Sequence, residues 1–402
     1  MVVRKSDLTR RTILVLAILI SGGNLLFPRL PILLIIVFLY LIARDWALDL
    51  RRQMLSIVVL LTLILMLTML RPIGATIEST AIRFANFIAA LLLLDLYLRA
   101  GAESLRRDLY IILHFMAWQA LLTVMLGQFF NFLFLPLPVN ETPYNTLLLI
   151  FNYHVMLDDY SYVIRPDGFF YEPGVLQVYL NIFLYLALFV FRSTWKSILA
   201  VVAVFSTQST TGVLICLTIV LTFIATRYLN RGTLPVRVAK VFVAAVVIAA
   251  FGVFASVNIR DKFTGESQGS FWARQYDFLT GLNIIAANPM FGIGFDYEQY
   301  YRASSHMGFA DTMLPERIIR DRGNSNGIVF LLYSIGIPLS IPFLIGMFRQ
   351  KFFPNPILIG IVLLLAFFGE SMIFTPFFLM IIFSGLLLKN RTVQAAQVAH
   401  DF

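Results

Sequence analysis

The chain has 402 residues, 59% of them hydrophobic and 13% charged, with a mean hydropathy of +0.83. A soluble domain carries nearer a quarter of charged residues, so this composition excludes an ordinary soluble enzyme. The formal charge of +9 does not point to nucleic acid, because nearly every Lys and Arg falls in a short gap between apolar runs.

Apolar runs of about 17–25 residues are what a helix needs to cross roughly 30 Å of hydrocarbon. In chain order they predict spans near 12–27, 31–43, 54–70, 84–99, 109–131, 173–191, 196–208, 212–227, 239–257, 324–347, 356–372 and 375–388. The first run lacks a small-residue cleavage site and is followed directly by another, so it reads as a retained signal anchor. The lone cysteine, Cys216, lies inside the eighth run and excludes an intramolecular disulfide. Residues 145–157 are apolar but too few to span, and are expected to form an interfacial or re-entrant segment. The expected fold class is an all-α integral membrane protein with about 12 transmembrane helices. Residues 1–402 would form a single polytopic membrane domain.

Charge sets the expected orientation. Twenty of the 31 basic residues lie in the segments that an even number of spans places on the same side as both termini, among them Arg10, Arg11, Arg44, Arg51 and Arg99. Basic residues are retained at the cytoplasmic face, so both termini are expected there. The outside loops 132–172 and 258–323 are then extracytoplasmic. The second, between the ninth and tenth spans, is rich in aromatic residues and Arg and is too long for a simple connector. Its stretch 270–287 has the spacing of an amphipathic helix lying along the surface. Outside basic residues include Arg29, Arg71, Arg83, Arg302, Arg317 and Arg322, most of them read as ordinary loop charge.

Three outside segments hold polar residues able to converge. The first is Arg165-Pro-Asp-Gly-Phe-Phe-Tyr-Glu-Pro-Gly, where Gly168 and Gly174 permit tight turns, Pro173 suits a first helical turn, and Glu172 sits where a helix dipole favours an anion. The second is Ala273-Arg274 followed by Asn288-Pro-Met-Phe-Gly-Ile-Gly-Phe; with no strand–helix unit around it, the Gly-Ile-Gly is no dinucleotide fingerprint. The third is Arg320-Asp-Arg-Gly-Asn-Ser-Asn-Gly, with Arg322, Asn324, Ser325 and Asn326 running into the tenth span. Polar groups entering a span are costly unless satisfied and mark a cavity or site, although helix capping alone would account for one of them.

In this order these segments resemble the bacterial O-antigen polymerase and O-antigen ligase superfamily, over roughly 160–340. Ser209-Thr210-Thr211-Gly212 resembles a polar turn of the same family. The resemblance implies a GT-C-like helical fold at the outer face of the bacterial cytoplasmic membrane, with the active site facing the periplasm. It implies a polyprenyl-diphosphate-linked oligosaccharide donor and acceptor, membrane lipid, a possible chain-length regulator, and no nucleic acid. Arg165 and Arg274 would grip the diphosphate, with Gly168, Arg322, Asn324, Ser325 and Asn326 lining the substrate. Ligases carry His-Asn where this chain reads Ser325-Asn326, which favours a polymerase. Glu172 is the first candidate for the general base, ahead of Asp167 and His306.

No cofactor is expected. Asp158-Asp159 is one adjacent acidic pair without further evident ligands, so no metal is expected either, and transfer should be metal-independent. His114 and Gln119 are read as interhelical hydrogen-bonding groups, and Asp95 as the partner of Arg99 four residues on. Glu370, near the outer end of the eleventh span, is positioned to face a cavity.

Overall fold

The computed structural model describes residues 5–22, 28–44, 51–70, 77–139, 142–158, 161–229, 268–295 and 324–388, with Gly252, Gln299, Tyr300 and Arg302. The first helices in chain order are α1 (Lys5–Leu19), α2 (Arg29–Ala43), α3 (Leu55–Met69), α4 (Ile77–Ala100) and α5 (Ala102–Phe129). After an antiparallel sheet come α6 (Pro173–Tyr185), α7 (Thr194–Ser206), α8 (Thr210–Ile224) and α9 (Gln268–Ala287). The last three are α10 (Gly327–Phe348), α11 (Pro356–Gly369) and α12 (Pro376–Ser384).

Six helical stretches are long and apolar enough to cross a membrane: Arg52–Met69, Thr80–Ala100, Ala102–Phe129, Pro173–Val190, Thr210–Arg227 and Gly327–Phe348. Shorter apolar helices are Arg29–Ala43, Thr194–Ser206 and Pro356–Gly369. Every expected span except the ninth overlaps one of these helices, or α1 or α12; span 239–257 lies outside the described residues apart from Gly252. The mostly helical architecture is that of a membrane protein.

One continuous apolar core joins the helices. Every residue of α6 and of α12 is buried, as expected of helices that are hydrophobic all round and surrounded by others. Phe374, between α11 and α12, meets Phe87, Phe295, Phe330 and Phe343 edge-on, so aromatic rings from four segments close the centre.

The expectation of an all-α chain is corrected in the first outside loop. Residues 135–166 contain a four-stranded antiparallel meander: β1 (Leu135–Val139), β2 (Thr142–Leu147), β3 (Phe151–Asp158) and β4 (Ser161–Pro166), in that order. The stretch 145–157 is therefore a β2–β3 hairpin and not a re-entrant segment. Tyr153 and Ile164 turn inward with Phe134 to make a small apolar cluster against the end of α5. Gly127 lets this happen: a Cβ there would come within 2.9 Å of Ile164 Cδ1. The physical reason is alternation, since aromatic and β-branched residues at every second position bury one face of a strand without needing a membrane.

Candidate functional site

The sheet and three helices carry charged residues to one place. Arg165 ends β4, and its Nε donates to the carbonyl of Thr207, the last turn of α7, at 3.2 Å. That carbonyl belongs to the negative end of a helix dipole, a natural seat for a guanidinium. Arg274 stands on α9, and its Nη2 lies 3.8 Å from Glu370 Oε1, at the C-terminal end of α11. Glu172, exposed, is the N-cap residue of α6 and makes no capping bond with its side chain. Burial presses the Arg165 guanidinium below its ordinary value; the charges of Asp167 and Glu172 oppose this, Arg274 adds to it and Glu370 opposes it. Two arginines and two glutamates from four elements thus act on one another.

Glycines make the approach possible. A Cβ on Gly174 would overlap the Glu370 carboxylate, and one on Gly327 would lie 2.8 Å from the Glu370 carbonyl oxygen. Gly168 takes φ +64, and its carbonyl accepts from Asn152 Nδ2 at 2.7 Å, fixing the turn between Arg165 and α6.

Asp167 is fully buried. Its Oδ1 is 2.8 Å from His154 Nδ1, while its Oδ2 has no hydrogen-bond partner. Burial raises Asp167 to about 6, against the hydrogen bond and charge of His154 and the charge of Arg165; Glu172 adds to the rise. His154 faces Arg165 directly in the β3–β4 register, so both side chains stand on one face of the sheet. Nothing in the sequence marks His154, because its partner depends on strand pairing.

The third segment, expected to line the substrate, also makes contacts within the protein. Asn324 Nδ2 donates to the carbonyl of Asp277 on α9 at 2.6 Å, and the Asp277 carboxylate accepts from Ser325 N at 2.9 Å and Ser325 Oγ at 2.7 Å. Asn326 Oδ1 caps α10 by accepting from Ile328 N and Val329 N at 3.1 and 3.0 Å. Asn324 and Asn326 are buried. The bonds of Asn324 and Ser325 to Asp277 clamp α9 to the start of α10. Since Asp277 lies three residues after Arg274 on the same helix, they also set the direction of Arg274. Arg322 and His306 lie outside the described residues.

The Asn288–Phe295 stretch explains itself against α10. Gly336, at φ +80 and ψ 165, breaks that helix, and Pro338 offers no N–H to the Ser334 carbonyl. The stretch supplies the missing partners: Ile293 N donates to Tyr333 O at 2.7 Å, Gly294 N to Ser334 O at 2.9 Å, and Ile337 N to Pro289 O at 2.8 Å. Gly292 and Gly336 approach so closely that a Cβ on either would collide with the other strand's backbone. A shallow pocket of about 600 Å³ lies over this strap, lined by residues 287–293 and Gln299.

Residues 195–338 match the family model described as O-antigen ligase. The match supports the O-antigen ligase and polymerase superfamily that the motifs resemble, and it takes in Thr207, Arg274, Asp277, the strap and the α10 break. Arg165, Glu172 and Glu370 lie outside it. No curated protein and no solved structure matches the chain.

Among the described residues no group of three His, Cys, Asp or Glu could hold a metal ion. Asp158 closes β3 opposite Ser161. His114 accepts from Trp118 Nε1 within α5, Gln119 donates to the Ile150 carbonyl, and Arg99 pairs with Asp95 at 2.8 Å.

Proposed function

We propose that the protein joins polyprenyl-diphosphate-linked oligosaccharide repeat units into O-antigen or a related surface polysaccharide, at the periplasmic face of the bacterial cytoplasmic membrane. The observation that carries this reading is the convergence of Arg165 and Arg274, from separate elements, with Glu172 and Glu370 at the mouth of α6. In the reaction the sugar–oxygen bond to the diphosphate breaks and the acceptor hydroxyl forms the new glycosidic bond. Its proton passes to a base, and polyprenyl diphosphate leaves. Both arginines meet the charge that grows on the leaving group, and such preset donors count most where water is excluded.

Glu172 is the proposed base, being exposed and within the field of Arg165. Asp167 has no exposure, so it serves through His154: held at Nδ1, that ring keeps Nε2 as its basic nitrogen beside Arg165. Arg322, Asn324, Ser325 and Asn326 line the substrate in this proposal, and Asn324 and Ser325 also hold α9, which carries Arg274. The absence of an imidazole at Ser325 favours polymerase over ligase. A chain of about 12 spans with a GT-C-like arrangement and no metal requirement belongs to the same proposal.

The test is incubation of purified protein with a lipid-diphosphate-linked repeat unit. A ladder of longer products is expected. A single transfer to lipid A core would make it a ligase instead, and lipid translocation without any new glycosidic bond would make it a flippase.

A further inference from the structure

Helices α2 and α4 pack side by side, and each end of the pair gathers arginines. At one end Asp95 on α4 accepts from Tyr40 on α2 at 2.9 Å and from Arg99 at 2.8 Å, with Arg44 and Arg51 each 3.9 Å away. Three cations there surround a carboxylate that the chain itself provides. The other end lies eleven to twelve residues back along each helix, roughly 17 Å at 1.5 Å per residue. There Arg29 opens α2 and Arg83 stands on α4, close enough for their like charges to act on each other. Neither has a carboxylate partner among the described residues.

What surrounds the pair is aromatic. The Arg83 guanidinium lies over the Phe330 ring, 4.9 Å from its centroid, with Tyr333 one turn further along α10. Tyr171, next to Glu172, lies near Arg29. Ring faces hold a cation in place but carry no net charge, so they do not neutralise two guanidinium groups. Like charges with no carboxylate between them among the described residues are costly at the edge of a hydrocarbon layer, and such residues mark a ligand pathway by default. From Arg29, Leu30, Leu34 and Phe38 run along one exposed apolar stripe of α2 at four-residue spacing, a track for an acyl or prenyl chain below a headgroup.

We propose that Arg29 and Arg83 form a second phosphate site, which holds the headgroup of a second lipid-linked substrate beside the one gripped by Arg165 and Arg274. This rests on the proposed transferase reading and extends it: donor and acceptor each have an arginine pair, on the two sides of the Tyr171–Glu172 turn. Arginine suits the role because its planar fork meets two phosphate oxygens at once.

The experiment counts polyprenyl diphosphate bound to the full chain in phosphatidylcholine nanodiscs by native mass spectrometry. Wild type is expected to hold two equivalents, the R29Q/R83Q protein one, and the R165Q/R274Q protein one. The single variant R29Q, at an exposed position, and R29K/R83K guard against misfolding; the first should hold the second equivalent more weakly and the second should retain part of it. Two equivalents still bound by folded R29Q/R83Q would overturn the site. So would a wild-type stoichiometry of one or none. Full displacement of the second equivalent by inorganic pyrophosphate, leaving the first in place, would overturn its assignment to a lipid. The transferase reading fails separately, through loss of the product ladder or through R165Q/R274Q binding as wild type does.

Discussion

Arg165 and Arg274 differ from Arg10, Arg11 and Arg99 in what faces them. Arg10, Arg11 and Arg99 each bond a carboxylate at 3.1 Å or less, whereas Arg274 meets Glu370 only at 3.8 Å and Arg165 spends its Nε on a helix-end carbonyl. The planar guanidinium fork of each suits a ligand with planar oxygens. Arg165→Lys and Arg274→Lys keep the charge and lose the fork. Each should slow transfer by about 2.7–4 kcal/mol of barrier, on the order of a hundred- to a thousandfold. Arg107→Lys, in an exposed pair with Glu103 on one helix, should change the rate little. Rates are to be compared in the repeat-unit assay, with thermal stability checked for each protein; near wild-type turnover in folded Arg165→Lys and Arg274→Lys would remove the diphosphate-clamp assignment.

At the scale of elements, the strap over the α10 break joins the large outside loop to the membrane domain. Its hydrogen bonds replace those that Gly336 and Pro338 deny the helix, so the motif Asn-Pro-Met-Phe-Gly-Ile-Gly is a structural splice that also positions α9 and Arg274. Gly292 has φ +65 and no room for a Cβ beside Tyr333 O, while Gly101 has φ +86 with nothing within 4 Å. Both substitutions to Ala carry backbone strain of about 1–3 kcal/mol, and only Gly292→Ala adds a collision. Thermal unfolding in detergent should therefore show Gly292→Ala clearly less stable than Gly101→Ala. Equal losses would mean that the close approach to α10 does not hold the strap.

For the whole molecule, five of the basic residues that the charge rule assigns to the cytoplasm come together in two clusters. Arg10 and Arg11 of α1 bond Asp108 at the start of α5, and Arg44, Arg51 and Arg99 gather on Asp95. The expectation for Asp95 and Arg99 is met and enlarged, since α2 joins through Tyr40. With this end inside, both termini are expected in the cytoplasm and residues 258–323 outside. Cysteines placed at Ser267 and Ser304, in a chain carrying Cys216→Ala, should react with an impermeant thiol reagent in intact cells. Protection at both sites until the membrane is opened would invert the topology.

The sequence by itself determined the membrane class, the places of most of the described helices and three polar segments that contribute to the candidate site. Hydropathy is summed over a window about as long as one span, and charge bias over the adjoining loops, so both are legible locally. Gly336 and the Gly292–Gly294 turn were visible as glycines, but not as two halves of one joint. Only the tertiary structure decided which residues meet: Asp277 with Ser325, His154 with Asp167, Glu370 with Gly174, Arg29 with Arg83. It also decided that residues 135–166 pair as strands, since aromatic and β-branched residues in a short apolar run fit either a strand or a helix until a packing partner selects one. The physical reason is the same throughout. Burial propensity belongs to a residue and its near neighbours, whereas a hydrogen bond or an ion pair between distant segments exists only once packing has removed water and brought its two halves within about 3 Å.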